Sequence, residues 1–144
     1  MPAVNVSKII PAGILAGVVL AACVYVSDNF LLADQWLLVA QIRNIDPNLM
    51  GGTGALVAMI VINLVLGMVV ALTYAAIRPR FGAGPGTAAI ASFLVFLPQT
   101  LLLASMAGWF ISWDLYFRQS VVTLVSMLGA GFAAGWVYAE EEPE

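Results

Sequence analysis

Residues 74–86 read YAAIRPRFGAGPG, and this stretch fixes the point at which the chain reverses. Pro79 disfavours a helical conformation at Arg78, because the residue before a proline is pushed out of the α region. Gly82, Gly84 and Gly86 supply the positive φ angles that a tight reversal needs. The stretch lacks the preceding strand and the amphipathic helix of a phosphate-binding loop. It therefore predicts a short turn between two apolar segments, without nucleotide binding.

The segments on both sides of this turn are long, apolar and uncharged. Of the 144 residues, 62% are hydrophobic and 9% are charged, whereas soluble domains carry about 25% charged residues. A helix that crosses about 30 Å of hydrocarbon needs roughly 18 apolar residues or more. Uncharged windows of that length occur four times, at residues 9–27, 47–77, 81–113 and 119–139.

These windows predict an all-α fold, an integral membrane four-helix bundle. We expect a single transmembrane domain over residues 1–144, with helices at about 9–28, 54–77, 87–113 and 119–139. The outer connection ADQWLLVAQIRNIDP, residues 33–47, predicts a short helix that lies in the membrane interface and begins at Asp34. An extension of the first span into the outer aqueous layer is the alternative.

The basic residues predict the orientation in the membrane. Lys8, Arg78 and Arg80 fall on the side of the two termini, against Arg43 and Arg118 on the other side. The positive-inside rule then makes both termini cytoplasmic. Aromatic residues that suit the two membrane interfaces follow the same division, with Trp36, Trp109, Trp113 and Tyr116 outside and Tyr74, Trp136 and Tyr138 inside.

A repeat and two stripes of small residues indicate how the helices pack. The segments GMVVALTYAAIRP (67–79) and GFAAGWVYAEEEP (131–143) share Gly, Tyr-Ala and Pro at identical spacing, which suggests two duplicated hairpins. Chance similarity between apolar helices is the alternative. Small residues let helix backbones approach closely in lipid. The glycines at the centre of these stripes are expected either to pack within one chain or to contact another, and they are Gly13, Gly17, Gly131 and Gly135.

A second group of residues is polar and lies within the predicted spans. Measured at 1.5 Å per residue, Asn63 lies about 22 Å and Gln99 about 18 Å from the cytoplasmic end. Because their helices are joined by the tight turn, the two amides are expected to face each other. The group is either interhelical hydrogen bonding or a polar lining of a pore, headgroup or quinone site. Its members are Cys23, Asn63, Gln99, Thr100 and Ser126.

The types of residue in the chain argue against catalysis and metal binding. The chain has no histidine and a single cysteine, Cys23, so the commonest metal ligand and general base are missing. Asp28 and Asp114 are expected at the outer ends of the first and third spans, which leaves no carboxylate at mid-membrane depth. No basic patch suits nucleic acid. We therefore expect no catalytic residue, no metal site, no cofactor and no nucleic-acid partner.

The segment YAAIRPRFGAGPGTA, residues 74–88, resembles the central loop of a group of short four-span bacterial membrane proteins. The pattern AGILAGVV at residues 12–19 also fits that group. The resemblance implies a multi-pass protein of the bacterial inner membrane and brings no activity with it.

Three functions are compatible with this sequence. The leading hypothesis is a non-enzymatic assembly or accessory subunit, whose partners are other membrane subunits or copies of itself. The first alternative is a small channel or transporter with a polar mid-membrane layer. The second is a subunit that contacts lipid, quinone or pigment. In each case membrane lipids are partners, and Arg78 and Arg80 are expected at headgroup depth, where basic residues favour anionic lipid.

Overall fold

A computed structural model describes residues 5–46 and 52–138 of the chain. Within these residues the protein is all helical. The helices are α1 (Val6–Val26), α2 (Ala33–Ile42), α3 (Thr53–Phe81), α4 (Pro85–Met106) and α5 (Trp113–Val137), with a π-helical turn at Ser27–Leu31 after α1. Four of them, all except α2, are long and apolar enough to span a membrane. The protein is thus a multi-pass membrane protein with a four-helix bundle, and the predicted fold class is confirmed.

The four long helices form a square in cross-section. α1 packs against α3 and α5, and α4 packs against the same two helices. α3 and α5 also touch each other across the diagonal, so α1 and α4 occupy the opposite corners. We call the end of the bundle with the α3–α4 turn the turn end, and the other end, where α2 lies, the α2 end.

The α3–α4 turn differs in detail from its sequence prediction. α3 continues through Arg78, Pro79 and Arg80, and the N–H of Gly82 closes it by donating to the carbonyl of Arg78 at 2.8 Å. Pro79 is tolerated because it lies in the last turn, where its missing N–H costs a single helical hydrogen bond. Gly82 and Gly84 have φ angles of 81° and 137°. Gly86, predicted to share this role, is already part of α4.

The first span is longer than predicted. The helix that begins at Val6 does not end near Asp28, because the π-helical turn carries it on to Leu31. The N–H of Leu32 donates to the carbonyl of Ser27 at 2.8 Å, which is the five-residue spacing of a π-helix. Asp28 therefore lies within the first span.

The boundary between the third and fourth spans was predicted wrongly. α4 ends at Met106, and α5 begins at Trp113, so Trp113 and Asp114 belong to the fourth span. Gly108, with φ 77°, turns the chain between the two helices. The Ser112 hydroxyl then accepts a hydrogen bond from the N–H of Leu115 at 3.1 Å and caps α5. A serine cap is a local signal, and it was available in the sequence.

Two hydrophobic clusters hold the bundle together. The larger one fills the turn end and joins all four long helices, largely through alanine, with Tyr74 and Tyr138 meeting edge to face at a centroid distance of 6.0 Å. The smaller one lies at the α2 end, where Leu32, Ala107, Ile111 and Leu115 are buried and residues of α2 pack over them. α2 forms the predicted short helix, although it begins at Ala33 and not at Asp34, and Gln41 and Arg43 at its end are exposed.

Candidate functional site

The first pair of predicted glycines lies in the contact between α1 and α3. A Cβ atom placed on Gly17 would lie 2.6 Å from the Cα of Leu64, and one placed on Gly13 would lie 2.9 Å from the Cα of Met68. On the facing helix, a Cβ on Gly67 would meet Gly17 and lie 2.5 Å from the carbonyl oxygen of Gly13. The two backbones are therefore in direct contact within one chain, which is the small-residue packing of membrane helices.

The second pair lies at the equivalent contact of the other hairpin. A Cβ on Gly131 would lie 2.8 Å from the carbonyl oxygen of Ala88 and would overlap the Ser92 hydroxyl. A Cβ on Gly135 would lie 3.3 Å from the ring of Tyr74. Gly67 and Gly131, the aligned glycines of the repeat, thus occupy corresponding places against α1 and α4. Two other residues of the repeat, Ala139 and Pro143, lie outside the described residues.

The five predicted polar residues are found in three different places. Asn63 faces the α1–α3 contact, is 6% exposed, and donates to the carbonyl of Met59 on its own helix at 2.8 Å. Cys23 and Ser126 line a shallow cleft between α1 and α5. Gln99 and Thr100 lie between α4 and α5. The predicted amide pair is therefore not formed: Asn63 bonds its own helix, and Oε1 of Gln99 has no hydrogen-bond partner among the described residues.

The contact between α4 and α5 contains several polar side chains. Thr100 and Ser120 share a hydrogen bond of 3.0 Å between their hydroxyl oxygens. Beside them is a cleft of about 280 Å³, lined by Gln99, Gln119 and Thr123 among apolar residues. We call it the amide cleft. The Oε1 atoms of Gln99 and Gln119 are buried and have no hydrogen-bond partner in the described part of the chain. Two buried acceptors without donors are costly in a membrane.

Asp28 extends this polar region towards α1 and α2. Its carboxylate lies beside the side chains of Ser27, Trp36 and Gln119, and the Ser27 hydroxyl donates to it at 3.4 Å. The indole N–H of Trp36 lies next to it without completing a hydrogen bond of normal geometry. Sequence reasoning missed this position, because it ended the first span at residue 28. The single signal for it was the aspartate at the edge of an apolar run.

On its other side, Asp28 lines a second cleft. This cleft of about 430 Å³ separates the last turns of α1 from the first turns of α3 and is lined by Asp28, Asn29, Trp36 and Leu56, among others. We call it the α1–α3 cleft. The other outer carboxylate that the sequence singled out behaves differently, since Asp114 pairs with Arg118 at 2.8 Å and both side chains are 58% exposed.

The two arginines of the central loop have different surroundings. Arg78 is partly buried, and its guanidinium lies over the ring of Tyr138 at 5.7 Å from the centroid. Arg80 is exposed and lines none of the clefts described for this structure. Within residues 5–46 and 52–138, no three His, Cys, Asp or Glu side chains lie close enough together to hold a metal ion.

Comparison with known proteins adds no assignment. No protein-family model, curated protein or solved structure matches this chain.

Proposed function

We propose that this protein is a non-enzymatic subunit of a larger assembly in the bacterial cytoplasmic membrane, with both termini in the cytoplasm. The orientation rests on Lys8, Arg78 and Arg80, which lie at the turn end, against Arg43 and Arg118 at the α2 end. The assembly is built by contact with another transmembrane helix, which comes either from a second copy or from a different subunit.

The observation that carries this proposal is the exposure of α3 at the α2 end. Of residues 53–62, every residue is exposed except Met59, which is partly buried. The turn-end part of the same helix is packed by its neighbours, and Val70, Ala71, Tyr74 and Ala75 are all buried there. About three turns of one transmembrane helix therefore stand away from the bundle.

The exposed half of α3 suits a second helix better than it suits lipid. Among the described residues, no atom lies within 4 Å of a Cβ placed on Gly54, and Ala58 lies one helical turn further along the same face. Such a pair of small residues lets a second helix approach closely. The adjacent α1–α3 cleft is also lined by the polar side chains of Asp28 and Asn29, which suit a protein surface better than acyl chains.

The predicted glycine stripes make their contacts within one chain. Gly13, Gly17 and Gly131 are buried, and Gly135 is partly buried, in contacts within one chain. The assembly interface is therefore expected on α3 and not on these stripes.

The test compares the same substitution at two exposed alanines of α3. Ala58→Leu adds bulk to the proposed interface, and Ala76→Leu adds the same bulk at the turn end, where Ala76 is also exposed. The measurement is the mass of the particle extracted from native membranes in mild detergent, with every co-purifying component identified. We expect a larger complex for the wild type and for Ala76→Leu, and a monomer for Ala58→Leu. A monomeric wild type, or equal complexes for both variants, would refute the proposal.

A small transporter or channel is the second candidate, favoured by Asp28, by Gln119 beside it and by the amide cleft between α4 and α5. Intramembrane carboxylates commonly carry protons or cations. The assay is proton flux into liposomes that contain the purified protein, followed with an entrapped pH-sensitive dye under an imposed membrane potential. Asp28→Asn should abolish the flux, and Asp114→Asn should leave it unchanged. A wild-type flux equal to that of empty liposomes removes this candidate.

A further inference from the structure

A separate cleft lies at the turn end, outside the polar region. It has a volume of about 440 Å³ and is bounded by the ends of α3 and α5 and the start of α4. Its walls are largely apolar and include Pro85, Ala88, Phe132 and Trp136, and Arg78 stands at its edge. We call it the arginine cleft.

Arg78 is the basic side chain of this cleft, and the aromatic contact holds it in place. Its guanidinium lies over the ring of Tyr138, an arrangement that favours a fixed orientation of the planar group. The Tyr138 hydroxyl is itself held, because it accepts a hydrogen bond from the N–H of Asn5 at 3.1 Å. A cation with a defined position beside an apolar surface matches a ligand with an anionic group and a hydrocarbon tail.

The charged residues of the described part of the chain divide between the two ends of the bundle. All four described aspartates, Asp28, Asp34, Asp46 and Asp114, belong to segments at the α2 end. The turn end has Lys8, Arg78 and Arg80 in the described part of the chain. Of these three basic residues, Arg78 is the one that lines the arginine cleft.

The position of the cleft also indicates which kind of ligand it binds. The turn between α3 and α4 lies where two spans end, which is the level of the lipid headgroups. Trp136 is 80% exposed at the rim and Phe132 is 46% exposed, so the cleft is open towards the acyl-chain region. Trp at this level is typical of the membrane interface.

We propose that the arginine cleft binds one anionic phospholipid, with the phosphate at Arg78 and an acyl chain along Phe132 and Trp136. Arg80, although only two residues away, takes no part in this site because it does not line the cleft. The site is independent of the assembly interface on α3, because that interface lies at the opposite end of the helix.

The experiment is native mass spectrometry of the purified protein after addition of phosphatidylglycerol or phosphatidylcholine. The wild type is expected to retain one phosphatidylglycerol molecule in preference to phosphatidylcholine. Arg78→Gln should weaken this binding by about fivefold or more, which corresponds to at least one basic contact with anionic lipid. The matched control Arg80→Gln should bind as the wild type does.

A second variant tests the site in case Arg78→Gln fails to fold. Trp136→Glu changes a side chain that is 80% exposed and introduces a negative charge at the rim, so it should also reduce phosphatidylglycerol binding without altering the thermal unfolding temperature. Equal losses in the Arg78 and Arg80 variants, or equal binding of the two lipids, would overturn the proposal.

Two other occupants of the arginine cleft would give different results in this experiment, and either result would overturn the proposal. Displacement of the lipid by millimolar inorganic phosphate would indicate a site for the free anion. The chain also ends in four glutamates, Glu140, Glu141, Glu142 and Glu144. Lipid binding that is seen only after all four are replaced by glutamine would mean that the acidic tail occupies the cleft.

Discussion

The contact between α1 and α3 can be tested by adding one methyl group. In Gly67→Ala, the new Cβ would lie 2.5 Å from the Gly13 carbonyl oxygen and 2.5 Å from the Gly17 Cα. Ordinary van der Waals contact begins near 3.4 Å, so the overlap with each atom is about 1 Å. Both atoms belong to a helix backbone, which cannot rotate out of the way, and the two helices must therefore move apart.

The expected cost follows from two opposing terms. Overpacking of a well-packed interior costs about 1–3 kcal/mol, and backbone overlap places this site near the upper value. Alanine gains about 1 kcal/mol over glycine in a helix. The net destabilisation should be about 2 kcal/mol, or roughly a 30-fold change in the unfolding equilibrium.

Two further Gly→Ala variants make the test a graded series. In Gly131→Ala, one of the clashing groups is the Ser92 hydroxyl, which can rotate away, so the cost should be smaller. In Gly129→Ala, the nearest atom is Cγ1 of Val19 at 3.7 Å, which is ordinary contact, so the helix propensity gain should remain.

The measurement is unfolding by sodium dodecyl sulphate in mixed micelles, followed by far-ultraviolet circular dichroism. The free energy of unfolding should be lowest for Gly67→Ala, intermediate for Gly131→Ala and highest for Gly129→Ala. A Gly67→Ala protein as stable as Gly129→Ala would refute the direct backbone contact between α1 and α3.

Two smaller effects can be measured in the same assay. Ser112→Ala removes the cap of α5, in which the Ser112 hydroxyl accepts a hydrogen bond of 3.1 Å from the N–H of Leu115, and should lower the free energy of unfolding by about 1 kcal/mol. Ser105→Ala changes another exposed serine near the same end and should lower it less. Equal losses in the two variants would contradict the capping role. Arg118→Gln removes the ion pair with Asp114. Because both side chains are exposed, the free energy of unfolding should change by less than about 0.5 kcal/mol. A loss above about 1 kcal/mol would show that the pair is part of a larger network.

The amide cleft and the Asp28 region show where sequence reasoning failed. Asn63 and Gln99 were placed at similar depth, and depth follows from residue counting along straight helices. Whether they meet depends on how each helix is rotated about its own axis. The structure turns Asn63 towards α1 and leaves Gln99 against α5, so equal depth did not mean contact.

The sequence by itself determined the membrane class, the number of long helices and the site of the tight turn. These properties depend on local quantities, namely the length of uncharged windows and the φ preferences of Gly82 and Gly84. Each of them can be read without knowledge of any distant residue.

Only the tertiary structure decided which faces meet. In a soluble helix an apolar stripe marks the buried side, but here the lipid-facing side is as apolar as the packed side, so composition does not reveal the rotation of each helix. The match of Gly67 with Gly13 and Gly17 is a property of two surfaces together. The same holds for the exposed half of α3 and for the position of Asp28 beside Gln119. Both depend on how the backbones of distant segments fit together when the helices pack.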